Sequence, residues 1–419
     1  MSDWLPPEQR IVVTGMGAVT PNGLDMPSTW AGVRDGESKI GPITLFDVSD
    51  YRVKIAGEAH GFDPLNYMSR KEARRSDRFV QFTRVAADEA VKQARLDTSQ
   101  DPDEIGVYIG CGAPGGIETY QAQQAVLDRR GPRGVSPLLI PMIVADSAAV
   151  QVGIRLGARG PNLAMSSACS TSLDAVGLSM ETIRRGDAQV MIAGGAEAAV
   201  NSLGISGFDQ LNALSRRNDD PLGASRPFDR DRDGFVLSEG AVVLVLESLA
   251  HARVRGSEPL AELRSYAATS DARHLTAPDT QGTGGARCMI RALIKACLTA
   301  EHVEFINAHA TGTPVGDPIE VHAIKRVLGE HTPRVAVSST KSVTGHLLGA
   351  AGALAIALTV QALRDGYLPP TINLSDPDPE CDISHVANTA RQSDAQVALV
   401  PSYGFGGHNS CVVVTKWPE

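Results

Sequence analysis

Apolar, β-rich runs closed by glycine recur along the chain: Arg10–Thr14 before Gly15, Ile105–Ile109 before Gly110 and Gln189–Ile192 before Gly194, with Val303–Ile306 and Val335–Val337 further on. Between several of them apolar residues fall at helical spacing, as in Ala86, Ala90 and Val91, or Leu173, Val176, Met180 and Ile183. Strand-like and helix-like periods in alternation predict an α/β body around a buried, largely parallel sheet. Ala241–Leu246 reads as a further buried strand and Cys411–Thr415 as the last one.

The pattern also repeats coarsely. Ser166-Ser167-Ala168-Cys169 opens a small-residue helix ending at Arg185-Gly186, and Ser339-Thr340-Lys341 through His346 opens another ending at Arg364-Asp365-Gly366. Ile105–Gly112 likewise resembles Val303–Gly312. Two related halves, 1–255 and 256–419, are expected. No Pro/Ser linker separates them, so they should pack as one body.

Composition narrows the functional classes. Of 419 residues, 42% are hydrophobic and 21% charged, enough apolar surface for a large core. A net charge of −9 disfavours nucleic acid as a partner, because phosphate binding needs a broad basic face. The sequence has no long apolar run free of polar groups, and Met1–Arg10 lacks an apolar signal region, so a cytoplasmic location without membrane contact is expected. The six cysteines include no C-x-x-C pair, which suits a reducing compartment.

Four segments could carry chemistry. In Ser167-Ala168-Cys169-Ser170-Thr171-Ser172, small neighbours permit a sharp turn that leaves the sulfur accessible. At a helix N-terminus, unpaired N–H groups and the dipole would favour thiolate over thiol. Taken alone, the same residues equally describe a buried structural cysteine. His309 leaves the strand ending at Ile306, where α/β ligands bind, followed by Thr311, Thr313, Asp317, Pro318 and Glu320. Pro318 suits a first helical turn and places Asp317 near the cap. Lys341 lies five residues before His346 at the mouth of a small-residue helix, where a buried cation would keep the imidazole neutral. Tyr403-Gly404-Phe405-Gly406-Gly407-His408-Asn409 has the glycine density of a backbone that can present an N–H to an oxyanion. Gly110–Gly115 matches G-x-G-x-x-G formally, but Pro114 opens a helix poorly and no acidic residue follows as dinucleotide binding requires. No H-E-x-x-H or other metal spacing occurs.

Together, and in this order, the cysteine elbow, H-x-T-x-T-P-x-G-D-x-x-E, K-S-x-x-G-H-x-x-G-A-A-G and G-F-G-G-H-N resemble the β-ketoacyl-ACP synthases, most of all the elongating enzymes of type II systems. The resemblance runs from Arg10–Gly17 to Gly406–Asn409 and takes in Arg226–Asp229, Asp233–Phe235 and Asp271–Pro278. It implies a thiolase-like fold of two duplicated α/β halves packed in five layers, and a homodimer. Cys169 would be the acylated nucleophile, with the N–H groups of Cys169 and Phe405 as the oxyanion hole. His309 and His346 would bind the malonyl thioester oxygen, Lys341 would support His346, and Glu320 the lysine and its loop. Thr311, Thr313, His274 and Thr276 would line the phosphopantetheine tunnel, Phe405 would gate it, and Phe208 would end the acyl pocket. The reaction needs no cofactor and no metal, because the substrate brings its own phosphopantetheine.

An acyl carrier protein is the implied partner. Lys71, Arg74 and Arg75 fall on one face at helical spacing, with Arg78 on the same side, and Arg133 matches another carrier contact. Several positions depart from the family: Tyr403 replaces Phe, Pro401 replaces Asn, Ala355 replaces Glu, and Asn212 stands where Arg is frequent. With that Asn and Glu missing, no monovalent cation is expected. The loop Cys111–Gly116 also departs from the family's glycine pattern. A discrete polyketide ketosynthase stays open beside fatty-acid elongation. A non-catalytic chain-length-factor-like subunit is disfavoured by the presence of Cys169.

Overall fold

Eleven segments pair into one sheet in the computed structural model, which describes residues 5–112 and 116–418. In chain order they are β1 (Ile11–Val19), β2 (Ile105–Cys111), β3 (Asn162–Leu163), β4 (Val190–Glu197), β5 (Gly240–Ser248), β6 (Ala261–Ser270), β7 (Phe305–Asn307), β8 (Ala336–Ser338), β9 (Ser384–His385), β10 (Val397–Gly404) and β11 (His408–Lys416). Across the sheet they run β9-β8-β7-β10-β11-β6-β1-β5-β4-β2-β3. With β9 set aside, the order is mirrored about the β1–β6 seam, β1 answering β6, β5 answering β11 and β4 answering β10. The seam is short, with Ile11, Val12 and Val13 opposite Leu263, Glu262 and Ala261. A buried, two-pronged ion pair from Arg10 to Glu262, 2.8 Å on each prong, clasps it.

The expected largely parallel sheet is in fact mixed. Parallel pairing is confined to the wings, β4-β2-β3 and β10-β7-β8-β9. The middle, from β4 through β5, β1, β6 and β11 to β10, is antiparallel. Strands β5 and β11 are buried on both faces, so they read as the continuous apolar runs that parallel strands show, and hydrophobicity does not report their direction. Strand β1 also continues through Gly15 and Gly17 instead of stopping there. A Cβ at these positions would lie 2.1 Å from the Ala90 carbonyl and 2.0 Å from that of Ala86, so the glycines admit a helix backbone and are not turn residues.

Alternation along the strands sets the layers. On β5, Val243 and Val245 face helix α1 (Arg78–Ala94), whereas Val242, Leu244 and Leu246 face the interior. On β11, Val412 and Val414 face that same interior, while Cys411 and Val413 face helices α3 (Thr283–Lys295) and α4 (Gly316–Leu328). Between the two half-sheets lie α2 (Thr171–Arg185) and α5 (Ala351–Asp365), through Leu173, Val176, Met180, Leu354 and Ile356. The result is helix, sheet, helix, sheet, helix: five layers. Leu348–Asp365 is apolar enough to cross a membrane by composition, but 89% of it is buried between the half-sheets as the central helix.

Candidate active site

The cysteine elbow is built by local hydrogen bonds. Cys169 sits in the turn Ala168–Ser170 that runs into α2, after Ala168 takes a left-handed φ of 53°. Thr171 closes the turn, its hydroxyl donating to the Ala168 carbonyl at 2.7 Å and accepting the Ser167 N–H at 2.8 Å. From behind, Asp174 accepts the hydroxyls of Ser167 and Ser410, and that of Tyr266 at 2.8 Å. The elbow is thereby tied to both β6 and β11. Opposite it, the β10–β11 hairpin turns through Phe405–Gly407, with Gly406 and Gly407 at φ of 86° and 75°. This turn aims the Phe405 N–H, together with that of Cys169, at the sulfur.

His309 lies just beyond β7. Glu320, on α4, accepts the backbone N–H groups of His309 at 2.8 Å and Ala310 at 2.6 Å, which fixes the loop. Ser402 bridges the two halves of the site, donating to the Cys169 carbonyl at 3.1 Å and lying 3.4 Å from His309 Nδ1. His346 is held by its backbone, its N–H donating to Val236 and its carbonyl accepting from Ser238. Its Nε2 is 3.0 Å from Cys169 Sγ. The imidazoles of His309 and His346 meet edge to face, 5.5 Å between ring centres. Ligand atoms of Cys169, His309 and His346 all lie within 4.8 Å of one another.

Burial governs the protonation of all three. Both imidazoles are held well below the usual histidine range, by burial first and by the Lys341 charge second, so they are neutral. The cysteine departs from the sequence expectation. Burial pushes its thiol up to about 12, and Glu197 adds to this, against the pull of Lys341 and the two N–H groups. Helix-end polarity therefore does not overcome desolvation here, and the resting sulfur keeps its proton with a neutral imidazole beside it. Burial also lowers the Lys341 ammonium and raises the Glu320 carboxyl, each partly offset by the opposite charge of the other.

Two cavities meet at the sulfur. One, of about 450 Å³, has Thr276, Thr311, Thr313, His309 and His346 in its wall. The other, of about 480 Å³, is lined mainly by apolar or small residues, among them Ile117, Ala199, Leu203, Gly204 and Phe208. Cys169, Phe208, Leu348 and Phe405 border both. Phe405 stands at the junction with 36% of its surface exposed.

Several expected positions move. His274 is not in the cavity wall: it is exposed, and its Nδ1 accepts the N–H groups of Thr276 and Ala277, holding the turn that carries Thr276. Asp317 is the second residue of α4, beyond its cap, and accepts from Phe228 and Gly312. Lys71, Arg74, Arg75 and Arg133 are all exposed. The basic run is not one helix, however, since a single turn, Arg70–Ala73, ends before α1 begins at Arg78. Arg78 does not join the surface group, because it turns inward to a two-pronged pair with Glu239. Ala113–Gly115, the centre of the glycine-rich loop that carries Pro114, lie outside the described residues.

Three participants escaped sequence reasoning: Ser402, Asp174 and Glu197. Glu197 ends β4 and accepts the N–H groups of Gly112 at 3.1 Å and Gly349 at 3.2 Å. Ser402 directly precedes the Tyr403 motif. The other two are acidic residues in otherwise small or apolar segments, and that was the available signal.

Fold and site together define a thiolase-like acyltransferase in which a cysteine faces two imidazoles. The description "Beta-ketoacyl synthase, N-terminal domain" matches residues 8–252, and "Beta-ketoacyl synthase, C-terminal domain" matches 260–375. The chain belongs to the β-ketoacyl synthase family. It is 46% identical over 411 residues to 3-oxoacyl-[acyl-carrier-protein] synthase 2 of Synechocystis sp., covering 98% of this chain and 99% of that one. It is also 46% identical over 410 residues to the protein of the same name from Staphylococcus aureus strain COL, with the same coverage. Among solved structures, a β-ketoacyl synthase from Burkholderia phymatum superposes with a TM-score of 0.90 at 32% identity, covering 98% of this chain and 100% of that one. A type II polyketide ketosynthase solved in complex with its acyl-carrier protein gives 0.88 at 32% identity, covering 97% and 99%.

Proposed function

We propose that this chain is a 3-oxoacyl-[acyl-carrier-protein] synthase of the second type, which lengthens fatty acyl chains by decarboxylative condensation. The observation that carries this reading is the meeting of Cys169, His309 and His346 where a cavity that carries Thr276, Thr311 and Thr313 in its wall joins a second, more apolar chamber. In the first half-reaction the Cys169 sulfur attacks an acyl thioester, its proton passing by way of His346 to the departing carrier thiolate. The oxyanion is met by the N–H groups of Cys169 and Phe405. In the second, malonyl thioester loses CO₂ and the enolate oxygen is held by the two neutral imidazoles. The carbanion then attacks the acyl carbonyl, and the Cys169 thiolate leaves and takes up a proton from solvent in place of the one that departed with the carrier thiol. No step calls for a metal or cofactor. Thr311, Thr313 and Thr276 would hydrogen-bond the pantetheine arm, while Phe208 would close the apolar chamber around the acyl tail.

The partner in this reading is an acidic acyl carrier protein, docking on the exposed Lys71, Arg74 and Arg75, with Arg133 as a further contact. A homodimer would form along the exposed edge of β3, beside Leu163 at 55% exposure and Ile154 at 76%. Fatty-acid elongation is favoured over a polyketide role by the 46% identity to proteins named 3-oxoacyl-[acyl-carrier-protein] synthase 2, against 32% for the polyketide ketosynthase.

Intact mass spectrometry after incubation with acyl carrier proteins of several chain lengths tests the proposal. Wild type gains one acyl mass and Cys169→Ala gains none; acylation of the alanine variant at the wild-type rate would remove Cys169 as nucleophile. In the same assay, charge reversal at Lys71 and Arg74 should slow acylation from the carrier about tenfold at low salt while sparing short pantetheine thioesters. Equal loss with both substrates would discard the docking surface.

A further inference from the structure

We propose that Cys169, His309 and His346 also form a binding site for a soft divalent cation, of which Zn²⁺ is the natural example, and that occupancy blocks the enzyme. Sequence spacing holds no metal signature, because these donors come from three distant segments that meet only in the fold. One thiol sulfur and two imidazole nitrogens are the donor set of catalytic zinc centres, which leave the fourth position open. Here the open position faces the 450 Å³ cavity, so a water or a thiol from a substrate arm has room to complete the tetrahedron.

The geometry is close to what such an ion needs. Ligand atoms within 4.8 Å of one another surround a point that a cation can occupy. Bond lengths of about 2.0–2.3 Å set tetrahedral ligand atoms about 3.3–3.6 Å apart, so the 3.0 Å Nε2···Sγ contact must open a little and the wider separations, up to 4.8 Å, must close by side-chain rotation. All three donors are already positioned. The elbow fixes Cys169, Glu320 fixes the His309 backbone, and the Val236–Ser238 segment fixes that of His346. Ser402, at 3.4 Å from His309 Nδ1, leaves that ring's Nε2 as the free ligand, the role outer-shell partners play at metal centres. Binding breaks the Cys169 S–H bond, forms a metal–sulfur bond and releases one proton to solvent. The nearby Lys341 charge opposes the ion, which fits a reversible inhibitory site better than a permanent cofactor. Because metal and acyl group would use the same sulfur, each must exclude the other.

Equilibrium dialysis of the full-length protein against Zn²⁺, with a non-thiol reductant and in a Cys297→Ser background that removes the exposed thiol, tests this. One tightly bound equivalent is expected, lost in Cys169→Ala and weakened about 10–100-fold in His309→Ala or His346→Ala. Alkylating Cys169 with iodoacetamide beforehand should abolish uptake, an arm that does not depend on the proposed condensation. Co²⁺ in place of Zn²⁺ should give a sulfur-to-metal charge-transfer band that disappears with Cys169→Ser. Retention of the equivalent by Cys169→Ala or by the alkylated protein, or no tight equivalent in wild type, overturns the proposal.

Discussion

The molecule contains the same backbone device twice. Ala168–Ser170 leads into α2 and Leu348–Ala350 leads into α5, each opening on a non-glycine residue with left-handed φ, 53° at Ala168 and 44° at Leu348. The two elbows then diverge. The first carries Cys169, and its N–H and that of Phe405 point at the sulfur, where a substrate oxyanion can arrive. The second carries Gly349, whose N–H donates to the buried carboxylate of Glu197. A resident protein anion thus fills the place in the second elbow that is open in the first. Duplication supplied two positive helix ends, and only the one without an internal anion is available for chemistry.

Filling the second elbow should have the largest effect on stability. A Cβ at Gly349 would lie 2.2 Å from the Gly112 nitrogen, with backbone on both sides unable to yield. Gly349→Ala should therefore lower stability by about 3 kcal/mol, seen as a drop in the urea midpoint. An unchanged midpoint would mean the two elbows are not packed as described.

Removing the internal anion sharpens the contrast from the other side. The Gly112 and Gly349 N–H groups both donate to Glu197 Oε2, so Glu197→Gln can keep them on its carbonyl oxygen but exchanges a charged acceptor for a neutral one, at a cost of about 1 kcal/mol. The substitution also removes a negative charge that raises the Cys169 thiol, so the pKa should fall and the pH profile of iodoacetamide alkylation should shift to lower pH. A shift to higher pH would contradict the assigned electrostatics.

Lys341 gives the smallest of these effects. Its charge adds to burial in keeping His309 and His346 neutral. In wild type, condensation should persist as pH falls through 6.5 and fail only when the imidazoles protonate, well below it. With Lys341→Met the imidazole pKa values rise, though burial still holds them down, so the acid limb of kcat should move to higher pH. An acid limb that stays put would leave Lys341 with a packing role alone.

Motif residues were the most legible part of the site, because each stands beside glycine or another small residue that has no other reason to cluster there. Cys169, His309, His346, Lys341, Glu320 and Phe405 do converge. Contacts between distant segments left no such trace. Ser402 bridging Cys169 and His309, or Asp174 gathering three hydroxyls, needs the fold to be seen. Strand β6 escaped because Glu262 and Arg264 interrupt its apolar pattern, and their cost is met by partners far away in sequence, such as Arg10 for Glu262. Direction along the sheet was misread for the reason that burial on two faces looks the same in parallel and antiparallel strands. The protonation of Cys169 was misread because a helix end can be recognised locally, whereas desolvation depends on everything packed around it.

The three-residue seam between β1 and β6 acquires a further meaning once the reacting groups are placed. Cys169 and the two imidazoles stand on opposite sides of it, so their separation depends on how β1 meets β6. A slip of two residues, the smallest that keeps every side chain on its own face, would shift one half by about 6.7 Å along the strands. That is more than twice the 3.0 Å between Cys169 Sγ and His346 Nε2. The two-pronged Arg10–Glu262 pair forms in the observed alignment and would be pulled apart by such a slip. Misaligned molecules would be folded but silent, which makes catalytic competence itself the proofreading readout of how the halves were joined.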